Sequence, residues 1–394
     1  MLTVTRDLPA ISLSGNPMVI EVNSDNFEDS GDPRPFYALI LDLYIYQDSS
    51  YVYLTSDSIQ VDEDGNASFD ISELINREIS PSHPYNDLDE TTLLVKDANA
   101  VARIAYKISE GYGIPYVIQT EEIDNADYYA IPGGFADSLL EEIEEASSDQ
   151  VDYIETKKMF LTNQHDGKKV ALNQFECLRW LNSSESSASI KLKVKEYLFS
   201  EDDEIETTIY SGSLDALSLY SFNVTPGVAF TPDSDTYKWE IYLTDGSDVL
   251  ISEVLEYRFT EVPVTNERFI LFQNSVGGFD TVRAVGDFIS ALEGMNSVVY
   301  LPEKTTLRNT LTPQQDRSVT RNVFKGKIGY LTNAELQWLA ELFLSEQRFI
   351  IINEKAVEIA MLNSDYLNQT DQPPAEFNIE AVVGVMDKFY SKAR

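Results

Sequence analysis

The sequence predicts a mainly β chain: tandem antiparallel β-sandwich domains with a few short helices, closing on a C-terminal α+β module. Three observations lead there. Short apolar runs alternate with polar residues at period two. Gly, Pro, Asn and Asp punctuate those runs at short intervals. Tyr (22) and Phe (19) are plentiful, and aromatic side chains favour the half-buried pleated surface of a strand. With 394 residues, 43% of them hydrophobic, the chain can bury about two to four cores and does not read as disordered.

The first domain is expected at 1–150. Ile11–Val22 reads as two strand pieces broken at Gly15-Asn16-Pro17, and Phe36–Tyr46 as a further strand. Tyr51–Thr55 and Ser58–Val61 follow, and Asp62-Glu63-Asp64-Gly65-Asn66 ends the run. Ala67–Ile71 leads into a short helix over Ser72–Arg77, and residues 80–100 read as a long loop. Ala102–Glu110 alternates again, Gly111-Tyr112-Gly113 turns, and Tyr128–Phe135 runs into Gly133-Gly134. Asp137–Ser147 has helical periodicity with a strongly acidic face.

The second domain is expected at 151–262. Met159–Thr162 is a strand, Asp166-Gly167 a hairpin-type turn before Val170, and Phe175–Leu181 a short apolar element. Asn182–Ser189 is a loop. Ser189–Phe199 places Ile190, Leu192 and Val194 on one side and Lys191, Lys193 and Lys195 on the other. Tyr237–Thr244 and Val249–Phe259 form a pair across Asp245-Gly246. This block resembles a fibronectin-type-III or immunoglobulin-like sandwich in its spacing.

The third domain is expected at 263–394. Arg268–Gln273 is a strand, Asn274–Asp280 a glycine turn, and Thr281–Val285 the returning strand. An amphipathic helix is expected at 333–345. Thr332 and Glu335 make its capping box, and Leu336, Leu339 and Phe343 recur at helical spacing. Phe349–Asn353, Ala356–Leu362 and Phe377–Val385 close the domain as strands, with a loop at Asp371–Pro374.

Charge narrows the partners. The formal net charge is −37, and residues 1–150 hold 6 Lys and Arg against 30 Asp and Glu. Such a surface repels phosphate backbones and anionic membranes, so no nucleic-acid or membrane partner is expected. The N-terminus lacks the basic and apolar segments of a secretory leader, and no apolar run reaches transmembrane length. Synthesis in a host cytoplasm without a signal peptide is the expectation.

The chemistry-bearing residues are sparse. Cys177 is the one cysteine and sits among apolar neighbours, which suits a buried inert thiol. His83 and His165 lie beside turn formers, which suits neither a triad nor a zinc site. The glycine pairs lack phosphate-loop spacing. Carboxylates are so frequent that a glycosidase-type pair cannot be singled out. No catalytic residue and no cofactor is assigned, and the chain is expected not to be an enzyme.

Asp62, Asp64, Asn66 and Glu73 meet the first, third, fifth and twelfth positions of a calcium loop, which makes them the metal candidates. The sixth position is Ala67 where that loop needs glycine, and the flanks read as strands, so an acidic hairpin turn is the competing reading. Tyr112, Tyr116, Tyr128 and Tyr129 are the candidates for an aromatic binding platform, against a core or rim role.

Four segments carry a resemblance. They are Ser14-Gly15-Asn16-Pro17, Asp64–Ile75, Phe160-Leu161-Thr162-Asn163-Gln164 and Asn274–Thr281. In this order they resemble virion structural proteins, tail-associated or surface, of phages and prophages that infect Bacteroidetes. The similarity spreads over most of the chain. It implies a structural role in a particle, copies of the chain and other virion proteins as partners, and no catalytic residues. The alternative is an adhesin module that binds a cell-surface glycan or protein, and a tail protein can also meet a host receptor. A glycoside-hydrolase-like enzyme is the third reading.

Overall fold

The computed structural model describes residues 1–29, 32–114, 116–145, 149–199, 204–260, 267–305, 308–330, 332–352, 354–362 and 376–383. Strand takes 52% of it and helix 13%, so the chain is mainly β. The expected loop at Asp371–Pro374 lies outside the described residues. So do Ala146 and Ser147 at the end of the acidic helix, Asn353 at one strand end, and the end of the last strand beyond Val383.

The N-terminal part runs β1 (Leu2–Arg6), β2 (Ile11–Leu13), β3 (Val19–Ser24), β4 (Glu28–Asp29), β5 (Asp32–Pro33), β6 (Ala38–Gln47), β7 (Ser50–Ile59), β8 (Asn66–Asp70), α1 (Ser72–Glu78), β9 (Leu94–Lys96), β10 (Ala102–Tyr112), β11 (Val117–Ile131) and α2 (Asp137–Glu145). A three-stranded sheet β1-β3-β8 faces a five-stranded sheet β2-β11-β10-β6-β7. Between them lies one core. Ile20, Val22 and Phe69 come from the small sheet, and Leu39, Leu41, Leu43, Ile104, Tyr106 and Ile108 from the large one. Period two explains β6: Leu39, Leu41, Leu43 and Ile45 are buried, while Tyr44 and Tyr46 face outward.

The middle part contains α3 (Gln150–Lys157), β12 (Lys168–Val170), β13 (Cys177–Asn182), β14 (Ala188–Leu198), β15 (Glu204–Leu214), β16 (Ser218–Asn223), β17 (Thr236–Asp245) and β18 (Leu255–Phe259). Again a five-stranded sheet, β12-β18-β17-β14-β15, packs on a three-stranded one, β13-β16-β9. Trp239 anchors the core, stacked on Tyr257 at 5.4 Å and tilted against Phe230 at 6.0 Å. Ile190, Leu192 and Val194 enter that core, while Lys191, Lys193 and Lys195 pair outside with Asp248, Glu206 and Glu204.

Several elements differ from the sequence expectation, and Met159–Thr162, expected as a strand, forms none. The turn at Asp166-Gly167 does not close a hairpin. Gly167 N–H donates to Glu256 O, and β12 runs parallel to β18, far along the chain. Residues 80–100 are not all loop, because β9 pairs antiparallel with β16. Three residues carry no periodicity to read; the partner strand defines β9.

The C-terminal part is a closed barrel, β19-β20-β21-β24-β23-β22, which the sequence did not announce. Its strands are β19 (Glu267–Gln273), β20 (Phe279–Thr305), β21 (Arg308–Tyr330), β22 (Arg348–Ile352), β23 (Lys355–Met361) and β24 (Glu376–Val383). The helix α4 (Asn333–Leu344) starts at the Thr332–Glu335 capping box and places Leu336, Leu339 and Leu342 in the barrel's core. No helix among the described residues is long and apolar enough to cross a membrane.

Candidate functional site

Three of the four motif segments meet where the cores adjoin. The turn after β19 is shaped by Asn274, whose side-chain oxygen accepts from Gly278 N–H (2.8 Å) while its side-chain amide donates to Leu161 O (2.9 Å). The Leu161 carbonyl lies so close that a Cβ on Gly278 would sit 1.7 Å from it. Gly277 has φ +87°, and a Cβ there would sit 2.1 Å from Pro132 O, so both positions exclude a side chain. On the other flank Gly134 N–H donates to Ser275 O (2.6 Å) and Gly15 N–H to Gly133 O (2.7 Å). The buried Asn16 side chain bonds both ways to the Phe135 backbone at 2.8 Å. Ser14–Pro17, Phe160–Gln164 and Asn274–Thr281 thus share one backbone-to-backbone seam. The fourth segment, Asp64–Ile75, stays in the first sandwich as β8 and the start of α1.

Two buried ion pairs flank this seam. Arg179 is 1% exposed and donates to Asp97 Oδ2 (2.6 Å), Ser82 O (2.6 Å), Ser221 Oγ (3.1 Å) and Gly277 O (3.2 Å). One guanidinium therefore ties the first region, the second sandwich and the third region's turn. Burial lowers its pKa, and the Asp97 carboxylate opposes that shift. Lys168 contacts Glu176 at 2.7 Å, and Gln174 donates to the other Glu176 oxygen. Burial pushes the Glu176 carboxyl up, and Lys168 pulls it back down.

The helix α4 docks on the same seam through polar contacts. Trp338 Nε1 and Thr162 Oγ1 both donate to Asp280, at 2.9 and 2.6 Å. Glu341 accepts from Ser275 N–H, Ser275 Oγ and Asn163 Nδ2. His165 lies edge-on to Trp338 at 5.8 Å, and burial lowers its pKa. His83 packs against Phe349 at 4.4 Å with the same shift for the same reason. Cys177 is buried in this region, its thiol donates to Phe279 O, and burial pushes the thiol pKa up, which makes it a poor nucleophile.

The metal candidates separate into two groups. Asp62 Oδ1 accepts the backbone N–H of Asp64 (2.9 Å) and of Asn66 (2.8 Å), and the Asn66 amide leans on the same carboxylate. Those Asn66 donors hold Asp62 below the usual carboxylate range. Asp64 offers its backbone carbonyl to Asn23 Nδ2. Glu73, on α1, accepts from Arg77 one helical turn on. Among the described residues no group of three or more His, Cys, Asp or Glu is placed to hold a metal ion.

The four candidate tyrosines do not share a platform. Tyr112 stacks on Tyr37 (5.6 Å) beneath Arg34, and Tyr116 lies over Gly111 at the same end of the β10–β11 hairpin. Tyr128 and Tyr129 sit at the other end, opposite Ile104 and Arg103. Eight residues of strand, about 27 Å, separate the two ends. Tyr128 stacks on Tyr106, and both hydroxyls donate to Asp7 at 2.6 Å.

The sequence reading missed a different aromatic surface. On the outer face of β6 and β7, Tyr44 meets Tyr53 (5.8 Å) and Tyr46 meets Tyr51 (5.2 Å). Arg103 lies 4.5 Å from the Tyr46 ring and pairs with Asp127. The signal was present as Tyr at alternate positions on both sides of Gln47-Asp48-Ser49-Ser50.

The chain matches no protein-family model and no curated protein. Among solved structures, a point mutant of Salmonella alpha-2-macroglobulin is similar at 8% identity and a TM-score of 0.20. That likeness covers 83% of this chain and 25% of the other, and at this score it carries no argument.

Proposed function

We propose that this chain is a non-catalytic structural component of a phage or phage-like particle, tail-associated, acting by assembly with copies of itself and other particle proteins. The observation that carries the reading is the ribbon of β20 and β21. β19 accompanies β20 only through Val285, and β24 accompanies β21 only from Asn322 onward. Beyond those limits Glu293–Thr305 pairs with Arg308–Arg321, and neither strand has a second neighbour there among the described residues. The extension is about 40 Å long at ~3.4 Å per residue. Two open strand edges are templates for pairing with another chain.

Charge favours a second copy as that chain. Residues 289–321 hold four Lys and Arg against three Asp and Glu, in a chain of net charge −37. Within the ribbon β21 carries Arg308, Arg317 and Arg321 against Asp316. The first 150 residues, with their large acidic excess, complement it. The ribbon of one copy meeting the acidic region of the next is a heterologous contact, which builds rings or stacks. The seam of Arg179, Asn274 and Gly278 supports the reading by holding the cores as a rigid platform for the ribbon.

Sedimentation velocity tests this. The full chain is expected to associate with concentration, more weakly in high salt. A variant with residues 289–321 replaced by a two-residue turn is expected to stay monomeric. The triple variant Arg308→Glu, Arg317→Glu, Arg321→Glu keeps the ribbon and is expected to lose association as well. A full chain that stays monomeric at every concentration, or variants that associate as it does, would reject the reading.

A further inference from the structure

A dish of about 520 Å³ opens at the edge of the first sandwich, beside the Asp62 turn. Its volume lies in the range of small-molecule sites. Phe27 and Phe36 supply aromatic walls. Phe27 is fixed against Gly65, where a Cβ would sit 2.7 Å from its ring. Phe36 is 63% exposed and held at φ +57°, a left-handed conformation that a bulky residue seldom adopts. Strain that keeps an aromatic ring in solvent points toward a use for that ring.

The polar lining is mixed in a specific way. The Arg34 guanidinium lies 4.4 Å from the Tyr112 ring, itself stacked on Tyr37, so its plane is set by packing. Its Nε is buried beneath the lining without a hydrogen-bond partner, so the guanidinium meets the dish with its other nitrogens. Glu28, Asp62, Glu63 and Gln60 add side-chain acceptors around the same dish.

Each simple ligand class fails one part of this lining. An anion meets the Asp62 and Glu63 carboxylates. A cation opposes the Arg34 charge. An apolar molecule satisfies neither. A hydroxyl both donates and accepts, and a sugar ring has an apolar face that packs on an aromatic one. We propose that this dish binds a neutral hexose unit of a glycan. Its ring lies on Phe36, its hydroxyls donate to Asp62 and Glu63, and one hydroxyl oxygen accepts from the Arg34 guanidinium. This site is independent of the ribbon, so either proposal stands without the other.

The full chain is screened on an array of neutral and sialylated oligosaccharides. The tightest neutral binder is then titrated against the wild type, Phe36→Ala and Arg34→Lys. Phe36 is exposed, so that variant keeps its fold, which an unchanged melting temperature checks. The expected result is binding of at least one neutral oligosaccharide, weakened at least tenfold by each substitution. No neutral binder, a preference for sialylated sugars, or neutral binding that survives Phe36→Ala overturns the proposal.

Discussion

Arg179 and Asp97 stand 82 residues apart in sequence and form an ion pair at 2.6 Å with each side chain 3% exposed or less. The pair also holds Ser82 O, Ser82 N–H and Gly277 O, so it closes three parts of the chain around one charge. Removing one member of such a pair leaves the other buried and uncompensated. Arg179→Ala is expected to cost about 3–5 kcal/mol. The urea midpoint measures this, and a loss below about 1 kcal/mol would mean that the pair does not hold the seam.

Gly278 makes a narrower test of the same seam. A methyl group there has no room beside Leu161 O, and backbone cannot swing away as a side chain can. Gly278→Ala is expected to cost about 1–3 kcal/mol. Hydrogen exchange is expected to rise at Leu161 and Asn274 while β6 and β10 of the first sandwich keep their protection. Uniform loss across all cores would contradict a local seam.

Glu253 sets a pH dependence. Burial raises its carboxyl to about 7, and its hydrogen bond from Phe160 N–H only partly offsets that. A raised carboxyl contributes stability below its unfolded value, about 4.5, and loses it as pH rises through about 7. Glu253→Gln keeps the acceptor and removes the charge. It is expected to stabilise the chain at pH 8 by on the order of 1 kcal/mol, discounted for partial exposure, and to leave pH 4 unchanged. Thermal melts across that range decide it. Equal effects at both ends would contradict the assignment.

Cys177 is expected to be silent toward thiol reagents in the folded chain. It is buried, and burial holds the thiol protonated. A chromogenic disulfide reagent is expected to label it only after denaturant is added. Rapid labelling of the native chain would show that the seam opens.

Much of the fold was legible. The alternation of Ile190, Leu192 and Val194 with three lysines gave β14, and the Thr332–Glu335 box gave the start of α4, because both are local patterns with local causes. The barrel was not legible, since closure depends on β22 pairing with β19 across the chain. The parallel pairing of β12 with β18 was hidden for the same reason. At the site, Asn274–Thr281 and Phe160–Gln164 stood out as turn-rich segments, yet nothing local says that Leu161 O sits against Gly278. The tyrosines at 112 and 128 were visible as residues, but their distance along one hairpin was not. The strain at Phe36 has no trace in sequence, because φ follows from the surrounding packing.

The central claim is that the chain is built into a particle. Mass spectrometry and electron microscopy of particles purified from an induced or infected culture test it most directly. Recovery of the chain at fixed stoichiometry with the major capsid or tail proteins is the expected result, lost on replacement of residues 289–321. A chain absent from purified particles and left free in the lysate contradicts the claim.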